Sequence, residues 1–162
     1  MYTLEAIIAR ESTLRAAPEE FPGVKLIPLP KGICMIPITG LLLQELEIRY
    51  QGGTKVTRPD YQRFSDSLYP DFERLIQGVD KFARHLSQNG LVAYVEATFT
   101  GGVGGHETMM WEKGEIVDGP GHDMNAVLRR LGVVRALGRD EFDMLGLGRH
   151  RSTRQWLEDS GP

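Results

Sequence analysis

The chain has 162 residues, of which 41% are hydrophobic and 25% charged, with a formal net charge of -3. These are ordinary values for one globular domain, and they exclude fibrous, collagen-like and disordered classes. The slight negative charge, with cations scattered except near the C-terminus, gives no bulk attraction to nucleic acid or anionic lipid, and no apolar run approaches the ~18 residues of a membrane span. 

Met1-Tyr2-Thr3-Leu4-Glu5 lacks a charged segment followed by an apolar one, so a cytoplasmic protein is expected. Tyr2 to Ala9 mixes β-formers with alanine and predicts a strand, followed by a short helix from Arg10-Glu11-Ser12 to Ala17 that Pro18 stops. Val24 to Leu29 and Ile33 to Ile38 are branched apolar runs about the turn Pro30-Lys31-Gly32, a hairpin pattern. Pro28, Pro30 and Pro37 cannot donate to a ladder, so one of these strands should be an edge or bulged. The single cysteine, Cys34, sits inside the second run and reads as a small buried hydrophobe. Leu41 to Leu46 continues a strand or begins a short helix, and Gln51-Gly52-Gly53-Thr54 reads as a turn.

From about Pro70 to Ser87, the residues Phe72, Leu75, Ile76, Val79, Phe82, Ala83 and Leu86 recur at the spacing of one helical stripe, which Asn89-Gly90 ends. Asp80 and Arg84 are spaced to pair across one turn on the solvent face. Leu91 to Phe99 predicts a strand with one continuous apolar face, Leu91, Ala93, Val95, Ala97 and Phe99. The opposite face starts apolar at Val92 and Tyr94 and turns polar at Glu96 and Thr98, so its far end should look out of the core. Thr108 to Trp111 and Glu115 to Val117 read as two more strands about Lys113-Gly114. Asp123 is placed to cap a helix from Met124 to Leu131, with Gly132 as terminator. Beyond Gly138 come short helical pieces separated by glycines, and Ser152 with Gln155 has capping-box spacing.

Between the strands lies the stretch Gly101-Gly102-Val103-Gly104-Gly105-His106-Glu107. It is not a dinucleotide fingerprint, because glutamate stands where the third glycine belongs and a strand follows instead of a helix. Two readings of the Gly101 to Gly105 loop stay open: a hairpin connection with positive φ at one or more glycines, or a cradle of backbone amides for an anion. His106 and Glu107 invite a metal reading with Glu96, His122 and Asp123, yet adjacent strand residues point to opposite faces and no second ligand pair recurs at fixed spacing. No metal or cofactor is therefore assigned. Glu96 suits a general base if desolvated, or is simply solvated at a strand end. Arg149-His150-Arg151 can grip a phosphate or carboxylate by forked hydrogen bonds, or pair with Asp140, Glu141 and Asp143 shortly before it. No G-x-S-x-G elbow supports a nucleophile.

The run Tyr94 to Ala97, Phe99, Gly101 to Gly104 and Trp111, then Asn125 to Val133, Asp140 to Asp143 and Leu145 to Arg151, resembles a family of small bacterial proteins, common in actinobacteria, without assigned chemistry. The likeness covers the last ~70 residues best. Some families of this kind serve as immunity proteins of polymorphic toxin systems, which implies a toxin-like protein partner. His106-Glu107 stands where the family has a glutamine-containing step, so no glutamine-dependent site is carried over.

The fold expected is a single α+β domain, residues 1–162, with a mainly antiparallel sheet packed against one long helix and smaller helices from residue 123 onward. The function expected is binding rather than turnover: an interaction protein of the immunity type, using Glu96, Gly101, Gly102, Gly104, His106, Glu107, Arg149, His150 and Arg151. The alternative is a small-anion-binding protein or small hydrolase built on the Gly101 to Gly105 loop with Glu96, His106 and Arg149.

Overall fold

The computed structural model describes residues 1–50, 72, 74–100 and 103–159. The turn expected at Gln51-Gly52-Gly53-Thr54, the helix start at Pro70, and Gly101 and Gly102 lie outside the described residues.

The architecture is α+β, and its described strands form one antiparallel six-stranded sheet in the order β2-β3-β1-β4-β5-β6. They are β1 (Tyr2–Arg10), β2 (Ile27–Pro28), β3 (Ile33–Pro37), β4 (Val92–Thr100), β5 (Val103–Glu112) and β6 (Glu115–Gly121). The hairpin of β2 and β3 forms as the branched residues predict, and the proline-bearing β2 is indeed an edge. The described helices are α1 (Glu11–Leu14), α2 (Ala17–Glu20), α3 (Gly40–Tyr50), α4 (Gln77–Leu86), α5 (Met124–Arg130), α6 (Glu141–Met144) and α7 (Thr153–Asp159).

Strict alternation along the strands gives the sheet two apolar faces. Ile7, Cys34, Ile36, Val92, Tyr94, Met109 and Trp111 belong to one cluster, which α3 and α4 complete through Leu42, Leu46, Val79, Phe82 and Leu86. Leu4, Ala6, Ile8, Met35, Ala93, Val95 and Met110 belong to the other, which Met124, Leu128, Leu145 and Trp156 complete. Helices therefore cover both faces. The one long helix expected is instead two of similar length, α3 and α4, side by side on the first face.

Several boundaries differ from the sequence reading, each for a local reason. α4 begins at Gln77, and Phe72, Leu75 and Ile76 reach the same core from the segment before it. Pro18 does not stop a helix but sits in the first turn of α2, where its missing N–H costs nothing. Leu41 to Leu46 is helical, with Thr39 accepting from the Leu42 N–H at 3.1 Å. Asp123 caps α5 by accepting from the Ala126 N–H at 3.2 Å, as its position predicts. Asp140 and Asp143 form a capping box on α6, and Ser152 and Gln155 exchange the hydrogen bonds of another ahead of α7.

The C-terminal segment is tied to the start of β1. β3 pairs with β1 only from Ala6 onward, which leaves backbone groups of the first residues of β1 to find other partners on that side. The Thr3 N–H donates to the Arg151 carbonyl at 2.8 Å and the Glu5 N–H to Thr153 Oγ1 at 3.0 Å. Tyr2 adds its hydroxyl to the Leu147 carbonyl at 2.9 Å.

Candidate binding site

β4 and β5 pair without interruption up to Thr100 opposite Val103, so Gly104 and Gly105 belong to a strand and not to a loop. This corrects the reading of a five-residue cradle, and positive φ is found at neither of the two. They serve different ends. A Cβ on Gly104 would overlap the Thr98 carbonyl oxygen, whereas one on Gly105 would meet nothing within 4 Å. Gly104 is present because another backbone passes too close for a side chain.

Glu96 is buried at 6% exposure, not solvated at a strand end, whereas Thr98 is exposed as the polar turn of that face predicts. One carboxylate oxygen of Glu96 accepts from the Tyr94 hydroxyl at 2.6 Å and from the Arg74 N–H at 2.9 Å. Burial first, and the Glu96 charge second, push the Tyr94 hydroxyl well above its ordinary pKa, so Tyr94 remains a proton donor to Glu96. Register extends the polar row sideways: Glu96 faces Glu5 on β1 and Glu107 on β5. Arg74 offsets part of this charge by pairing with Glu5 at 2.5 Å, and His122 Nδ1 lies 3.3 Å from the Glu107 carboxylate. Sequence inspection missed Glu5 and Arg74, since register between strands some ninety residues apart leaves no local signal.

His106 is on the opposite face of the sheet from Glu96 and Glu107, as strand alternation requires. Its Nδ1 accepts from the Met124 N–H at 3.2 Å, and its ring packs edge-on against Phe99 with centroids 5.1 Å apart. Burial holds its pKa below the ordinary 6.5, partly opposed by Asp123 and Asp140. The set Glu96, His106, Glu107, His122 and Asp123 thus does not converge, and among the described residues no group of three or more His, Cys, Asp or Glu side chains is arranged to hold a metal.

Arg149, His150 and Arg151 line an open cleft of about 520 Å³ together with Gln155 and Glu158 of α7. The ion pairs expected with Asp140, Glu141 and Asp143 are not formed among the described residues. Asp140 accepts from Asn125 at 3.1 Å and from the Asp143 N–H at 2.8 Å, and that backbone donor is the main reason its carboxyl lies below the usual range. Glu141 is taken by Arg129 at 3.1 Å, and Arg139 donates to the Asp143 carbonyl at 2.8 Å. Buried Trp156 forms the floor beneath the tripeptide: the Arg149 guanidinium lies 5.0 Å from its ring centroid, and the His150 ring is 4.6 Å away, edge to face. The Arg151 backbone is fixed on both sides, its carbonyl by Thr3 and its N–H by Gln155 Oε1 at 2.7 Å, while its side chain is exposed.

A projection after α5 also escaped the sequence reading. Ala136 and Arg139 exchange backbone hydrogen bonds of 3.0 and 2.9 Å, with Gly138 at φ 75 between them, and the tight turn carries Leu137 wholly exposed. Arg135 and Arg139 flank that leucine, and Val134 is 76% exposed just before them.

Comparison of the chain with protein-family models, with curated proteins and with solved structures finds no match in any of the three. No helix among the described residues is long and apolar enough to cross a membrane.

Proposed function

We propose that this chain is a non-enzymatic interaction protein that binds an acidic surface of a protein partner through the cleft at Arg149, His150 and Arg151. One observation carries the reading: the carboxylates of Asp140, Glu141 and Asp143 are bonded elsewhere, and among the described residues neither the Arg149 nor the Arg151 guanidinium is joined to a carboxylate. Two exposed guanidiniums held on a well-anchored backbone lose little freedom on binding, and arginine combines charge with flat stacking surface. The immunity-type partner implied by the sequence resemblance is the specific form of this proposal, with the exposed Leu137 turn as a second contact of apolar character. 

A hydrolase using Glu96 with His106 is the weaker reading, because the sheet lies between them and each is engaged by neighbouring backbone or hydroxyl groups. A small anion in the same cleft is the remaining alternative to a protein partner. The deciding experiment is affinity capture from a lysate of the native cell, with the wild-type chain and the Arg149→Ala/Arg151→Ala double variant as parallel baits. A protein retained by the first and lost from the second supports the proposal; identical captured sets, with both baits folded, defeat it.

A further inference from the structure

A second concavity, of about 270 Å³, opens where β1 leaves β3 and α7 takes over, on the side of α7 that carries Arg154 and Leu157 rather than Gln155 and Glu158. Its apolar wall is Ile38 and Leu157, and its charged groups are Glu5, Arg74 and Arg154. Glu5 is already committed to Arg74, which also donates from Nη1 to the Ile38 carbonyl at 3.0 Å. Among the described residues Arg154 pairs with Glu158 across one turn at 3.0 Å; their side chains are 86% and 60% exposed, and such solvated pairs hold weakly. Among the described residues the wall thus offers two guanidiniums against one carboxylate, beside a patch of aliphatic surface. Gly40 stands at the rim, and a Cβ there would meet nothing within 4 Å.

We propose that this concavity binds a small aliphatic monocarboxylate, with the carboxylate at Arg154 and Arg74 and the branched body against Ile38 and Leu157. A cation is disfavoured because Glu5, the one acid in the wall among the described residues, is neutralised by Arg74. With Arg74 shared with Glu5 and Arg154 with Glu158, the wall balances one carboxylate rather than two. The shared chemistry fits two sources, a free branched-chain acid or the C-terminal residue of a peptide. The site is separate from the Arg149 cleft and does not depend on the function proposed for it.

The test is a titration of the full ¹⁵N-labelled chain followed by amide shifts, with isovalerate and N-acetylleucine as ligands and isopentylamine and N-acetylleucinamide as controls. Saturable shifts at Thr39, Gly40 and Leu157 with a Kd on the order of 1 mM are expected for the carboxylates and not for the controls. Binding of N-acetylleucine without isovalerate identifies the peptide terminus as the source, and binding of isovalerate identifies the free acid. Arg154→Glu and Gly40→Trp, each at positions exposed enough to leave the melting temperature nearly unchanged, should weaken binding at least tenfold. No saturable shift at about 10 mM of either acid, equal binding of isopentylamine, or undiminished affinity in Arg154→Glu would overturn the proposal.

Discussion

Trp111 donates its indole N–H to one oxygen of the Asp80 carboxylate at 3.2 Å, and the other oxygen accepts from Arg84 at 2.9 Å. Asp80 and Arg84 pair as their spacing predicts, but Asp80 does not lie on the solvent face: it is 9% exposed and links α4 to β5 across the core. Removing the carboxylate leaves a buried indole donor without an acceptor and breaks a charge-assisted bond. Asp80→Ala should therefore cost about 3 kcal/mol, and Asp80→Asn, which keeps an acceptor, about 1 kcal/mol. Urea denaturation of the two variants checks the order, and equal stability of Asp80→Ala and wild type would mean that Trp111 finds another partner.

Glu96 offers a comparable contrast with a bearing on function. Glu96→Ala orphans the buried Tyr94 hydroxyl and the Arg74 N–H and should cost about 3 kcal/mol, whereas Glu96→Gln retains an acceptor and should cost less. Because Glu96 supports the lead-in to α4 rather than facing the Arg149 cleft, a folded Glu96→Gln variant should capture the same partner as wild type. Discovery of a turnover reaction lost in that folded variant would instead restore Glu96 as a general base.

His106 gives the protein a predictable response to acid. The folded state binds this proton less readily than the unfolded chain, since burial depresses the folded pKa below 6.5 and protonation would remove the acceptor that Nδ1 offers to Met124. The unfolded state therefore carries more protons in that window. Stability from this group is complete above pH 6.5 and declines as the pH falls through the unfolded pKa toward the folded one. Melting curves between about pH 8 and about pH 5 should show a loss in wild type that is smaller in His106→Gln. Parallel curves for the two proteins would remove His106 as the source.

Adjacent glycines should respond in opposite ways. Gly104→Ala drives a methyl group into the Thr98 carbonyl and should destabilise by more than ~3 kcal/mol through forced separation of β4 and β5, while Gly105→Ala should lie within ~0.5 kcal/mol of wild type. Differential scanning calorimetry on the pair is sufficient. Equal tolerance would show that the strands can part locally at little cost.

These positions also mark where sequence reading succeeds and where it stops. Alternation gave β4 its two faces, and the stripe Val79, Phe82, Ala83 and Leu86 located α4 correctly, since both patterns are local consequences of backbone geometry. Phe72, Leu75 and Ile76 continue the same spacing yet reach the core outside the helix, because burial alone does not specify backbone conformation. Gly104 and Gly105 are indistinguishable as letters; only the ladder that brings Thr98 alongside separates them. For the candidate site, the Arg149-His150-Arg151 cluster was legible as a charge pattern. The absence of ion pairs from Arg149 and Arg151 to Asp140, Glu141 and Asp143 among the described residues was not, because it depends on Asn125 and Arg129 taking the first two carboxylates and on the third closing the capping box at the Asp140 N–H.

Arg149 and Arg151 should separate stability from recognition. The Arg149 guanidinium covers the buried Trp156 ring, so Arg149→Ala loses a cation–π contact and some cover over the indole. It should cost about 0.5–1 kcal/mol and shift tryptophan emission to the red as water reaches the ring. Arg151 is fixed through its backbone, which alanine preserves, so Arg151→Ala should melt within a degree or so of wild type. If the cleft is the working surface, both variants should still weaken partner binding at least tenfold, about 1.4 kcal/mol, with dissociation made steeper in salt for wild type than for either variant. Undiminished binding by a folded Arg151→Ala variant would take the cleft out of the interface. A large loss of stability in Arg151→Ala would instead assign that side chain to the fold and leave Arg149 to carry the test alone.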